Sequence, residues 1–268
     1  MKIKCQADID IHTSQRSGTL KKYDKYFFGF LGIVLFIISW QLLRIVKNDP
    51  ALVSADVILN TFFGIITSGK FYENLFSTLK IVVIGIGAGT AVGIALSVLI
   101  DLNKTVKKII TPLIEILRNI PSITLFPILL VMYGIGDTAR IFIIFWTATP
   151  AIIISTVFGL RMIDESVIEA AQSFGANKWQ IMWKIKLPLA FPEILNGIKI
   201  GIGSGFVAIV VAEMLGASKG LGFMVLWSTN AFKYNETYAY IMIIGLVGAI
   251  VNYGMGVVIK RYERKIQK

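Results

Sequence analysis

The chain has 268 residues, 55% of them hydrophobic and 16% charged, with a formal net charge of +11, one cysteine and one histidine. That balance is too apolar for a soluble globule of ordinary composition. A lone Cys5 excludes an intramolecular disulfide and a cysteine cage for a metal, and a lone His12 argues against histidine-ligated zinc, haem or iron.

Residues 1–26 read as a polar tail that carries both Cys5 and His12. A bilayer span needs about 20 predominantly apolar residues. The first such run, Phe27 to Val46, exceeds the ~7–15-residue core of a cleavable signal peptide and is expected to span instead. Ser54 to Ser68 then shows a helical stripe of Ile58, Phe62, Ile65 and Ile66, begun by Ser54 and Asp56 and ended by Gly69. Such a helix suits the outer membrane surface or a crossing of the bundle. The second span is Leu75 to Ile100, where Gly85, Gly89 and Gly93 take the small-xxx-small spacing that lets helices approach closely in lipid. A glycine-rich nucleotide turn would require a strand before it, and here the glycines sit inside one apolar run.

The third segment, Ile109 to Tyr133, holds Pro112, Pro121 and Pro127, and Pro121 is predicted to break the helix at Arg118-Asn119-Ile120-Pro121-Ser122. The fourth span is Ile141 to Leu160. The fifth, Ile194 to Leu215, repeats the glycine spacing at Gly197, Gly201 and Gly205, and the sixth is Tyr240 to Ile259. The expectation is an all-α integral membrane protein of about six transmembrane helices, a single domain over 27–268 behind the tail of 1–26.

Between the fourth and fifth spans lies a polar loop, 164–188. Ser166 and Glu169 stand at capping-box spacing for a short helix, with thin Ala170 and Ala171, an apolar knob at Phe174, and Gly175 to end it. A second helical stretch, Ala176 to Lys186, carries Trp179 and Trp183 on one side, and Pro188 is predicted to stop it.

The excess of positive charge would suit a nucleic-acid partner, but its distribution argues otherwise. Lys and Arg collect in the tail, at Lys104, Lys107 and Lys108, in the 161–186 loop and from Lys260 to Lys268, all on one side of a six-span arrangement. The alternate loops hold only Lys47, Lys70, Arg140, Lys219 and Lys233, with Arg44 at the border. By the positive-inside rule both termini and the polar loop face the cytoplasm.

Ionisable groups inside apolar runs are functional candidates by default, and here they are Lys80, Glu115, Arg118, Lys199 and Glu213. Lys80 and Lys199 lie near span ends, where their stems can snorkel. Glu115 and Arg118 are spaced to pair, and both fit support of the Pro121 break; Arg118 and Glu213 are the candidates for a translocation pathway, with a local structural role as the alternative for each. The spans contain no histidine base, nucleophile motif or ligand cluster, so no catalytic residue, metal or cofactor site is expected.

Glu169-Ala170-Ala171, three residues, Gly175, nine residues, then Ile185-x-Leu187-Pro188 resembles the loop through which importer permeases of the ATP-binding-cassette class dock onto their ATPases. Arg118-x-Ile120-Pro121-Ser122, Val211-Ala212-Glu213-Met214 and Gly220-Leu221-Gly222 resemble the sulfonate, taurine and nitrate branch of that class, so the likeness runs from about Leu75 to the C-terminus. The resemblance implies a type I permease fold, with Glu169, Ala170, Ala171, Phe174, Gly175, Leu187 and Pro188 as ATPase-docking residues. It also implies two ATPase subunits, a second permease copy and an extracytoplasmic solute-binding protein. The sequence lacks a phosphate-binding G-x4-G-K-[ST] loop, so ATP would be held by the ATPase subunit. The implied solute is small and anionic or zwitterionic, with a thiamine or pyrimidine precursor as the alternative. A secondary transporter would need no docking loop and commonly carries an inverted repeat, which is not apparent here. A membrane enzyme would need the missing catalytic set.

Overall fold

The computed structural model describes residues 27–266 except 30 and 48. The tail of 1–26, with Cys5 and His12, lies outside the described residues. The chain forms two compact units whose boundary falls after Asn60. The first contains α1 (Phe27–Lys47) and the start of α2 (Ala55–Ile66). Within it the Trp40 indole N–H donates to the Val53 carbonyl at 2.9 Å.

The second unit continues through α3 (Gly69–Leu102), α4 (Lys104–Asn119), α5 (Phe126–Tyr133), α6 (Asp137–Arg161), α7 (Glu165–Ser173), α8 (Lys178–Ile181), α9 (Leu187–Gly216), α10 (Leu221–Asn230) and α11 (Tyr234–Ile266). Five helices are long and apolar enough to cross a membrane, and a sixth crossing is obtained if α4 and the residues 122–133 count as one bent span. The six predicted spans fall on α1, α3, that bent pair, α6, the continuous helix of α8 and α9, and α11.

Two expected boundaries move. Gly69 does not end α2; it opens α3, because the Ser68 hydroxyl accepts the Phe71 N–H and caps the longer helix. Pro188 does not stop the second loop helix. Helical backbone runs from Lys178 to Gly216, and the residues before the proline, Met182–Lys186, widen into a π turn. Pro188 has no N–H to give the carbonyl four residues back, and its ring crowds that carbonyl, so a wider turn admits the ring without breaking the helix.

The centre of the second unit is a three-helix sandwich, with α6 between α3 and α9. Ile144, Ala148 and Ile152 recur every fourth residue on α6 and are fully buried. On one side they meet Gly85, Gly89 and Gly93 of α3, and on the other Gly205, Gly201 and Gly197 of α9. A Cβ at Gly85 would sit 2.7 Å from the Ile144 Cβ, and one at Gly201 would sit 3.1 Å from the Ala148 Cβ. The small-xxx-small stripes therefore set both helix spacings, as close packing in lipid requires.

The third segment breaks where proline predicts, but far more sharply than a kinked span. α4 and the residues 122–133 meet at 87°. Ile120 and Pro121 are extended (ψ 117° and 112°), and a 3-10 turn, Ser122–Leu125, leads into α5 with Pro127 in its first turn. The Thr124 N–H and hydroxyl both return to the Pro121 carbonyl, at 2.9 and 2.7 Å, which fixes the corner.

Candidate functional site

The loop between α6 and α9 is closed by local hydrogen bonds at each of its helix ends. α7 begins two residues earlier than the Ser166–Glu169 spacing suggested. Its cap is Asp164, whose carboxylate accepts the Ser166 N–H at 3.0 Å. Hydrogen bonds from the Ser166 N–H and hydroxyl hold the Asp164 carboxyl below its ordinary pKa. The other end is a Schellman motif: the Ala176 N–H returns to the Ala171 carbonyl at 3.1 Å and the Gly175 N–H to the Gln172 carbonyl at 2.8 Å. Gly175 lies at φ 79°, as its assignment to the helix end anticipated.

α8 opens on a reciprocal capping box. The Asn177 side chain accepts the Gln180 N–H at 2.9 Å, and the Gln180 side chain accepts the Asn177 N–H at 2.8 Å. That N-x-x-Q signal is readable in the sequence and was missed.

The same loop is anchored from beneath. Met182 is fully buried in a cluster with Val98, Leu160 and Ala190, and Leu187 packs against it. The Lys186 ammonium donates to Asp101, at the C-terminal end of α3, at 2.7 Å. Asp101 escaped the sequence reading because its partner lies 85 residues away. Burying a side chain such as Met182 contributes roughly 1.5–3 kcal/mol. The outer surface of the loop is bare: Phe174 is 93% exposed, and Trp179 and Trp183 are 57% and 59% exposed. Glu169, Ala170, Gly175 and Pro188 are also exposed, while Ala171 and Leu187 are half-buried. The structure thus gathers the predicted docking residues on one rigid segment, with Leu187 as the member that faces inward.

The two pathway candidates have opposite settings. Arg118 is exposed at the end of α4 and lines two cavities, of about 490 and 260 Å3. Among the described residues no ion pair joins it to Glu115, although the two stand three apart on α4. Glu213 is 0% exposed. It accepts the Thr78 hydroxyl at 2.7 Å and the Gly222 N–H at 2.9 Å. The Thr78 oxygen in turn accepts the Leu221 N–H at 3.0 Å, and the Asn74 side chain accepts the Gly220 N–H at 2.8 Å.

Three successive N–H groups at the start of α10 are thereby satisfied by side chains of α3 and α9, in place of the cap that Gly220 cannot provide. A Cβ at Gly222 would fall 2.2 Å from the Val210 carbonyl oxygen, which is why a glycine stands there. In this structure Glu213 therefore serves as a cap for α10, held by α3 and α9. Of the span-end lysines, Lys80 is exposed and Lys199 half-buried.

No group of three or more His, Cys, Asp or Glu residues among the described residues could hold a metal ion. Residues 60–268 match the family of binding-protein-dependent transport system inner membrane components. The taurine transport system permease protein of Escherichia coli K12 is 32% identical over 184 residues, covering 69% of this chain and 67% of that protein. The nitrate import permease protein of Leptolyngbya laminosa is 32% identical over 249 residues, covering 90% of this chain and 87% of that one. Among solved structures, an inward-facing methionine ABC transporter gives a TM-score of 0.65 at 21% identity, over 72% of this chain and 96% of that one, a likeness of fold. The fold class expected from sequence is thus the observed one, and the chain belongs to the family of binding-protein-dependent transport system inner membrane components.

Proposed function

We propose that this chain is the permease subunit of an ATP-driven importer, with 164–188 as the segment that docks onto its ATPase. The observation that carries the reading is Phe174, an almost fully exposed aromatic side chain on a loop that caps, a Schellman turn and a buried anchor hold rigid. A protruding aromatic on a preorganised surface suits insertion into a partner's pocket.

In this reading two ABC ATPase subunits bind the ATP, a second copy of this chain completes the route as a homodimer, and an extracytoplasmic binding protein delivers the solute. The chain lies in the cell membrane with both termini and the loop in the cytoplasm, as its charge asymmetry favours. Closure of the ATPase pair draws the two loops together. Lys186–Asp101 and the Met182 cluster pass that movement to α3 and α9, so nucleotide shifts the population from inward-open to outward-open. The names of the taurine and nitrate relatives support a small anionic or zwitterionic solute.

Gly175→Glu tests the docking. Its φ of 79° strains any side chain, while no atom within 4 Å obstructs one, so the variant distorts the turn without disturbing the bundle. The expected result is normal membrane insertion with loss of ATPase co-purification and of ATP-dependent uptake. Normal co-purification and uptake would overturn the assignment.

A further inference from the structure

We infer that the cavity beside the α4–α5 corner is the contact site for the oxyanion head of the transported solute, with Arg118 as its cation and Ser122 and Ser155 as its neutral donors. The inference rests on the importer reading and adds a place and a chemistry to it. The cavity has a volume of about 490 Å3, within the ~300–1,000 Å3 of small-molecule sites. Its walls are the corner itself, the middle of α6 and the middle of α9, so it is a cleft at mid-height of the bundle, open at its surface, rather than at either end.

The donor inventory is what selects an anion. Thr147 and Ser204 also line the cavity, but their hydroxyl protons are committed to the Ile143 and Ile200 carbonyls, at 2.6 and 3.1 Å. Ser122 and Ser155 have no such commitment among the described residues. The Trp146 indole N–H has no hydrogen-bond partner but is sealed from the cavity, so Trp146 contributes ring surface there and no donor. No carboxylate lines this cavity. One guanidinium fork and two free hydroxyls, with no carboxylate beside them, make a site for a sulfonate or nitrate group and a poor one for a cation.

A second observation supplies direction. The smaller cavity of about 260 Å3 shares Arg118 and Ile154 with the first and extends to Arg161, at the inner end of α6. Arg118 therefore borders both cavities, and a route from the larger one toward Arg161 runs past Glu115 as well, a carboxylate that favours release of an anion over its retention.

The test uses the complete transporter, permease with its ATPase, in nanodiscs. Ser204→Cys in a Cys5→Ser background places a reporter thiol in the cavity without removing a free donor, and Ala151→Cys is a second reporter. Methanethiosulfonates bearing a sulfonate or a trimethylammonium group are compared, each normalised to its rate with free mercaptoethanol. The sulfonate reagent is expected to react about tenfold faster, with Arg118→Gln removing the preference and Arg118→Lys retaining it in part. Nitrate and methanesulfonate should slow the reaction, and neutral dimethyl sulfone should not. Equal rates for the two reagents, or a preference that survives Arg118→Gln, overturn the site. Should Arg118→Gln fail to assemble, the competitor series in the unmutated arginine background decides. Hydrolysis of ATP stimulated by the binding protein is measured in the same preparation. Intact hydrolysis without anion preference sinks the site alone, whereas absent hydrolysis before any substitution sinks the importer reading.

Discussion

Gly85→Ala is expected to destabilise the protein while Gly87→Ala, two residues along the same helix, does not. A Cβ at position 85 would stand 2.7 Å from the Ile144 Cβ and 3.1 Å from the Ile141 carbonyl oxygen, whereas one at 87 meets nothing within 4 Å. α6 has no free direction in which to yield, because Gly205 and Gly201 hold Ile144 and Ala148 from the opposite side. Overpacking of this kind costs about 1–3 kcal/mol. The exchange of glycine for alanine in a helix returns up to about 1 kcal/mol at either position. Gly85→Ala should therefore be neutral to about 3 kcal/mol less stable and Gly87→Ala up to about 1 kcal/mol more stable; the helix-propensity return is common to both, so the separation is about 1–3 kcal/mol. Thermal or SDS unfolding of the purified protein reads that separation directly. Equal effects of the two substitutions would refute the sandwich as the determinant of helix spacing.

Two further predictions concern the cap of α10 and the topology. Glu213→Ala should cost about 1–3 kcal/mol for each partner it leaves bare, the Thr78 hydroxyl and the Gly222 N–H, and a double-mutant cycle with Thr78→Val should show coupling above about 0.5 kcal/mol; additivity would mean that the shared cap of α10 contributes nothing. With Cys5→Ser as background, Ser218→Cys should label with an impermeant reagent in intact cells and Ser173→Cys only after permeabilisation, and labelling of both from outside would contradict the cytoplasmic loop.

What the sequence makes legible here follows the range of each interaction. The glycine stripes, the Pro121 break and the Gly175 turn are local patterns, and the structure carries each of them. The α7 cap lies two residues before the expected Ser166 because Asp164 and Ser166 compete at that helix start and only backbone geometry selects between them, while Gly69 follows a Ser that caps the next helix instead of ending the last one. Pro188 misled because the usual penalty assumes an α turn, and a π turn relaxes it. Glu213 was visible as an intramembrane charge, but its partner Thr78 lies 135 residues earlier, so nothing local distinguished a capping carboxylate from a pathway one. The same limit hid Lys186–Asp101 and the unpartnered Trp146 N–H, both of which arise from tertiary packing.

The central claim is that Phe174 inserts into an ATPase partner, and cross-linking measures it most directly. Phe174→Cys in a Cys5→Ser background, co-expressed with the ATPase subunit carrying single cysteines along its docking groove, should form a nucleotide-sensitive cross-link to that subunit with a short bifunctional maleimide. Ser218→Cys should form none. A Phe174→Cys that never cross-links to the ATPase, in a complex that still takes up solute on ATP hydrolysis, would contradict the account.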